Sequence, residues 1–143
     1  MSKTPAKKRS DSFLTSVDPN GPPLFSMLQI IREGIPVRDL FAFIEATGLP
    51  EADVLRVMGI SRRTLERRAQ GALSPQQSDR LARIKRIWDL TVHAIGDESR
   101  ARGWLVDPNR AMKGELPLDL LDTDAGARMV EAVLARIVEG IFA

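Results

Sequence analysis

The chain of 143 residues contains no cysteine and no tyrosine, a single histidine, and only 5% aromatic residues. Without thiols there is neither a disulfide framework nor a thiolate metal site, a composition that suits a reducing compartment. No apolar run approaches the ~18 residues of a membrane span. The first residues are charged and polar, without the apolar segment of a secretory signal. A soluble, cytoplasmic protein that does not engage a membrane is therefore expected. Nucleotide-binding glycine loops of the Gly-x-Gly-x-x-Gly or Walker type are missing, as is any His/Asp/Glu cluster at metal-ligand spacing. The lone histidine, His93, lies inside a long helical stretch, and such a histidine is more often structural than catalytic. Carboxylates are plentiful, but nothing in the sequence pairs them in a cleft. Catalysis by this chain is not expected, nor is a metal or cofactor of its own.

The length is about that of one domain, by the usual ~150 residues per domain, and such a chain buries roughly 68–70% of its unfolded surface without disulfide or metal. Charge is distributed unevenly. Of 21 basic and 19 acidic residues, six and nine fall in 97–143, leaving fifteen and ten in 1–96. A basic first part and an acidic second part suit two partners of opposite electrostatic preference, although an imbalance of this size also arises by chance.

Residues 1–23 combine Lys3, Lys7, Lys8 and Arg9 with Pro19, Pro22 and Pro23. Little there offsets the entropy of ordering, so a flexible basic arm is expected. Apolar residues then recur at helical spacing. Leu24, Met27, Leu28 and Ile31 form one stripe ended by Gly34; Val37, Leu40, Phe41 and Ile44 form a second between Pro36 and Gly48. Ser74-Pro75-Gln76-Gln77 carries an N-cap serine, a proline at the first helical position and a glutamine at the third, which starts a long helix to Ile95. Its inward positions are Leu81, Ile84, Ile87, Trp88, Thr91 and Ile95. Further on, Asp97 caps a helix through Leu105, Asp107-Pro108 starts a short turn ended by Gly114, and Pro117 starts another. Thr123 caps the last helix, with Val130, Val133, Leu134, Ile137, Val138 and Ile141 as its stripe. No segment alternates with a period of two, so the fold class is all-α.

Between Pro50 and Gly71 the order is helix, glycine turn, helix, the layout of a helix-turn-helix. Gly59-Ile60-Ser61 makes the break and Ser61 caps the second helix, whose closing residue is Gly71. Leu65 points toward Val57 or Met58, while Ser61, Arg62, Arg63, Thr64, Arg67 and Arg68 are the candidate DNA contacts. The arginine fork bonds guanine O6 and N7 together or clamps phosphate oxygens. An arginine-rich helix face is equally often plain solvated surface. Arg80, Arg83, Lys85 and Arg86 add charge on the next helix.

The most specific stretch is 101–126, ARGWLVDPNRAMKGELPLDLLDTDAG. Gly96-Asp97, Trp104-Leu105, Pro108-Asn109, Gly114, Pro117-Leu118-Asp119-Leu120-Leu121, Thr123 and Gly126 stand at offsets that helical periodicity does not require. Together with the amphipathic helix from Ala127 to Ala143, they resemble the toxin-binding domain of the Xre/MbcA/ParS antitoxins. Lys113 stands where that pattern often has a second glycine, and Leu116 where a small or hydroxyl residue commonly precedes the proline. The bottom-up reading makes Trp104 and Leu105 anchors of a small core, so that Trp104→Ala should cost about 3–5 kcal/mol. Pro108, Gly114, Pro117 and Gly126 serve backbone geometry. Asn109, Arg110, Lys113 and Glu115 lie in a connection, where binding groups often sit, and Arg136 and Glu139 lie on the outer face of the last helix.

The resemblance implies an Xre-like helix-turn-helix bundle over 24–95, after the 1–23 arm, and a small helical toxin-binding domain over 96–143. It further implies a RES-domain, NAD-consuming toxin as partner, whose cofactor pocket is closed by the antitoxin's C-terminal end. Asn109, Arg110, Arg136, Glu139, Ile141, Phe142 and Ala143 are the toxin-binding candidates on that reading, with the terminal carboxylate beside Phe142. Operator DNA is the second partner, read by a homodimer, because a two-fold protein on two half-sites gains specificity that one small helix cannot supply. The expected function is an antitoxin that occludes its toxin and represses its own operon. The rival readings are a stand-alone dimeric helix-turn-helix regulator without a toxin, and a helical adaptor that binds no nucleic acid.

Overall fold

The computed structural model describes residues 14, 15 and 17–140. Lys3, Lys7, Lys8 and Arg9 at one end, and Ile141, Phe142 and Ala143 at the other, lie outside the described residues. Among those described, the architecture is all-α, with isolated bridges at Pro36–Ala72 and Asn109–Glu115 and no strand. The helices are α1 (Leu24–Glu33), α2 (Val37–Thr47), α3 (Glu51–Met58), α4 (Arg62–Arg67), α5 (Pro75–Ile95), α6 (Glu98–Val106) and α7 (Asp124–Val138). Two 3-10 turns, Arg110–Met112 and Pro117–Asp122, connect α6 to α7.

Helix α5 is the spine. Its start is the capping box expected from Ser74 and Gln77: each side chain bonds the other's backbone N–H, at 3.1 and 3.0 Å. Leu81, Ile84, Ile87, Trp88 and Thr91 are buried as the stripe requires. On one side α5 packs against α1, on the other against α6 and α7, so a single apolar core runs from Leu14 to Leu134. Arginines stitch the first half to the second. Arg83 donates to the Leu121 carbonyl and Arg102 to that of Thr47, at 3.1 and 2.9 Å. Arg56 pairs with Asp119, and Arg86 with Glu131. With Arg80 donating to the Met58 carbonyl and Lys85 buried against Asp89, most of the basic charge expected to supplement a nucleic-acid face on α5 is used inside the fold.

Several expectations are corrected. Leu14 is only 2% exposed and a turn over Asp18–Gly21 lies beside Asp89, so these parts of the 1–23 segment touch the fold, while Thr15, Val17 and Asn20 are exposed. Helix α1 buries Ile30, not the Leu24/Leu28 edge; Leu24 and Phe25 are 87% and 80% exposed. In α2, Phe43 is the buried aromatic and Phe41 only half-buried, because Val37, Leu40, Phe43 and Thr47 share the inward face. The first 3-10 turn is capped by Asn109 rather than started by Asp107: the Asn109 side chain accepts from the Ala111 N–H at 2.9 Å. Trp104, expected as a core anchor, is only half-buried beside its fully buried neighbour Leu105.

At the start of α7, Thr123 caps by accepting from the Gly126 N–H at 3.0 Å. A Cβ on Gly126 would fall 1.8 Å from the Leu120 carbonyl oxygen, so only glycine lets the last helix cross the second 3-10 turn this closely.

Candidate functional site

Two surfaces stand out. The first is the helix-turn-helix formed by α3, the Gly59–Ser61 turn and α4. Leu65, wholly buried, fixes the rotation of α4. Ser61 caps it, accepting from the Thr64 N–H at 3.1 Å while donating its hydroxyl to Thr64 Oγ1 at 2.9 Å. This rotation brings the arginines of α4 to the surface, but not to equal use. Arg62 pairs with Glu51 and with Glu66, and its guanidinium sits 5.5 Å from the centre of the Phe41 ring. Glu51 first, then Glu66, push its basicity further up. Arg62 thus ties α4 to α3 and α2. Arg63, Arg67 and Arg68 are exposed and have no ion pair among the described residues. Arg67 reaches only the Thr64 hydroxyl, at 3.5 Å. The available positive charge of this face is therefore Arg63, Arg67 and Arg68.

The second surface lies at the other end of α5. Ile95, Trp104, Val133 and Ile137, each half-buried, line an open groove of about 580 Å³ together with Asn109, Arg110 and Ala111. The loop that borders it is held by its own backbone. Asn109 donates to the Glu115 carbonyl at 3.0 Å and accepts from the Gly114 N–H at 2.8 Å, while the Met112 side chain is buried beneath. Lys113, at φ 58, and Gly114, at φ 86, turn the chain through the left-handed region. That anchoring leaves Arg110 exposed at the groove's edge, with no ion pair among the described residues.

The remaining sequence candidates are dispersed. Arg136 and Glu139 are exposed near the end of α7, beyond the groove; Pro108 and Gly114 are exposed, and Pro117 and Gly126 are buried. His93 is exposed on α5, and no group of side chains among the described residues could hold a metal ion. No helix among them is long and apolar enough to cross a membrane. Sequence reasoning named the polar edge of the groove, Asn109 and Arg110, and missed Ile95, Val133 and Ile137. For Val133 and Ile137 the signal is the width of the last stripe: Val130 and Leu134 fill the core, which leaves Val133 and Ile137 as a second apolar edge.

One buried group lies apart from both surfaces. Asp89 pairs with Lys85 inside the fold, and burial pushes its carboxyl up to about 6, against the lowering effects of Lys85 and of a backbone hydrogen bond from Asp18. Its Oδ1 has no hydrogen-bond partner among the described residues.

Comparison with known proteins agrees with this division. Residues 26–86 match the family described as antitoxin Xre-like helix-turn-helix domain, and residues 90–140 match the antitoxin Xre/MbcA/ParS C-terminal toxin-binding domain. The antitoxin Xre of Yersinia enterocolitica is 35% identical over 119 residues, covering 81% of this chain and 80% of its own length. That of Photorhabdus laumondii is 33% identical over 115 residues, 78% of each chain. A Prs ADP-ribosylating antitoxin of a Sphingobium species is 26% identical over 125 residues, 80% of this chain and 79% of its own. The fold is shared with a chain in the crystal structure of the Mycobacterium tuberculosis MbcT–MbcA toxin–antitoxin complex. There the TM-score is 0.55 at 23% identity, over 85% of this chain and 99% of that one.

Proposed function

Since the chain belongs to the Xre antitoxins, with a helix-turn-helix domain followed by a toxin-binding domain, we propose that it neutralises a RES-domain, NAD-consuming toxin and represses the operon that encodes both. The observation that carries this reading is the pairing, on one continuous core, of an exposed arginine face with a separate apolar groove inside the toxin-binding match.

Inhibition on this reading is occlusion without chemistry. Arg136 and Glu139 project from the last turns of α7 and direct the following Ile141-Phe142-Ala143 into the toxin's cofactor pocket. Repression uses Arg63, Arg67 and Arg68 on phosphates or guanines, with Ser61 and Thr64 at the start of α4 and Arg62 holding that helix in place. A homodimer reads two half-sites. Leu24, Phe25 and Leu28 form an exposed apolar face on α1 with no charge among residues 24–28, a surface that a two-fold axis can match to itself. We place the division between the two functional parts near Ile95.

The test is co-expression with the protein encoded beside this gene, which this reading expects to be a RES-domain toxin. Growth should be rescued and the two chains should purify together, whereas a chain ending at residue 140 should bind the toxin yet leave it active. A chain that shifts its upstream DNA but neither rescues growth nor assembles with the neighbour would be a stand-alone regulator instead.

A further inference from the structure

We propose that the groove beside Trp104 is a docking site into which the partner toxin inserts an apolar segment flanked by a carboxylate. The proposal rests on the antitoxin reading above and adds to it a contact surface that the chain terminus does not supply.

The groove is preformed. Its apolar walls come from the end of α5, from α6 and from α7, three elements with other residues, Thr91 on α5 among them, buried in the core. Leu105 behind Trp104 is 1% exposed, and Val130 and Leu134 on α7 are 0% and 3% exposed. Walls fixed in this way lose little freedom when a partner binds, so more of the burial appears as affinity. All of its lining residues fall within the segment matched as a toxin-binding domain. The contents favour a protein segment over a polar metabolite. The Asn109 carboxamide oxygen is engaged by the Ala111 N–H, which leaves its amide N–H groups and the Arg110 guanidinium, donors only, to meet an incoming chain. A tryptophan and an arginine at one apolar site are the side chains that most often carry interface energy.

Charge then selects the occupant. No acidic residue lines the groove, and Arg110 is exposed at its edge without an ion pair among the described residues. An incoming carboxylate gains a partner there, and an incoming cation is repelled. Position gives the site its use. Ile137 lies in the last turn of α7, two residues before the C-cap Glu139 and just before the segment proposed to enter the toxin's pocket, so a toxin seated in the groove is aligned with that segment.

The test uses the full chain and the RES-domain toxin that the proposed function expects to be encoded beside its gene. The chain has two tryptophans, so labelling it with 5-fluorotryptophan gives one fluorine resonance for Trp88, 3% exposed in the core, and one for half-buried Trp104. Adding the toxin should shift the Trp104 signal and leave that of Trp88 nearly unmoved. In calorimetric titrations, Ile137→Glu should weaken toxin binding about 100-fold, and Arg110→Glu about 10-fold with a flatter salt dependence. Circular dichroism and binding to the upstream DNA check that both variants are folded; Arg110→Glu, at an exposed position, remains informative should Ile137→Glu fail to fold. An unmoved Trp104 resonance in the saturated complex would overturn the proposal, as would folded variants that bind within about twofold of the parent. It would equally fall if cutting the chain after residue 140 moved the Trp104 signal without toxin, which would assign the groove to the chain's own terminus. It would fall if Ile137→Glu abolished self-association while toxin affinity held, which would assign it to a second copy. A parent chain that does not bind the toxin at all sinks the antitoxin reading itself, and the groove with it.

Discussion

The arginine face of α4 and the groove beside Trp104 are built on opposite physical terms. Arg63, Arg67 and Arg68 offer exposed charge with no apolar floor, a surface whose attraction to a polyanion acts at a distance and fades with salt. The groove offers Ile95, Trp104, Val133 and Ile137 with a single cation at the edge, and acts only at contact, by removing apolar area from water. Two surfaces of unlike chemistry are thereby segregated to the two ends of α5. The same helix joins the two surfaces through one core. Damage to either surface should therefore spare the other, while damage to the core should disable both.

The largest effect should come from the shared core. Gly126→Ala forces a Cβ into the Leu120 carbonyl and should cost about 3 kcal/mol in thermal denaturation, with DNA and toxin binding lost together at temperatures where the parent chain still binds. Next, replacing Arg63, Arg67 and Arg68 together by alanine should weaken binding to the upstream DNA roughly 100-fold, and should flatten the salt dependence by about 0.9 for each phosphate no longer neutralised. Toxin affinity should not change. A failure of both activities in that folded triple variant would break the proposed independence of the two surfaces.

A smaller effect separates the core's own electrostatics from both surfaces. The Asp89 carboxyl, ordinarily at 3.8, is raised to about 6 in the folded chain, so the native state holds that proton more tightly than the unfolded one. The stabilisation is complete below about pH 4 and is lost as pH rises through about 6. Relative to a Lys85→Met/Asp89→Leu double variant, the parent should lose about 2 kcal/mol between those limits, read from denaturation curves at each pH. The smallest change concerns the groove's border. Lys113 adopts φ 58, so Lys113→Gly should stabilise the chain by about 1 kcal/mol or less, and leave toxin affinity intact if Arg110 alone supplies the charge there.

The helices were legible from local signals. The Ser74 capping box, the Thr123 cap and the glycine at 126 each act over a few residues, and the structure realises all three. What a stripe packs against is a tertiary property and was less readable. Leu24 and Leu28 have the spacing of a buried edge, yet Ile30 is the residue in contact with the core, because α5 approaches α1 from that side. Trp104 likewise carries the signature of a core residue, yet it is half-buried at the edge of the core, as Val133 and Ile137 on α7 are. Nor could charge counting separate Arg63, Arg67 and Arg68 from Arg62, Arg83 and Arg86, since the partners of the latter stand on other elements: Glu51 for Arg62, the Leu121 carbonyl for Arg83 and Glu131 for Arg86.

The most direct measurement is the rate of NAD consumption by a RES-domain toxin, sought in the reading frame beside this gene, as this chain is added. Shut-off by a protein plug predicts a linear fall to no activity at a fixed molar ratio, unaffected by the Arg63/Arg67/Arg68 replacement and relieved by removal of the residues after 140. Undiminished NAD consumption in the presence of excess, folded chain would contradict it.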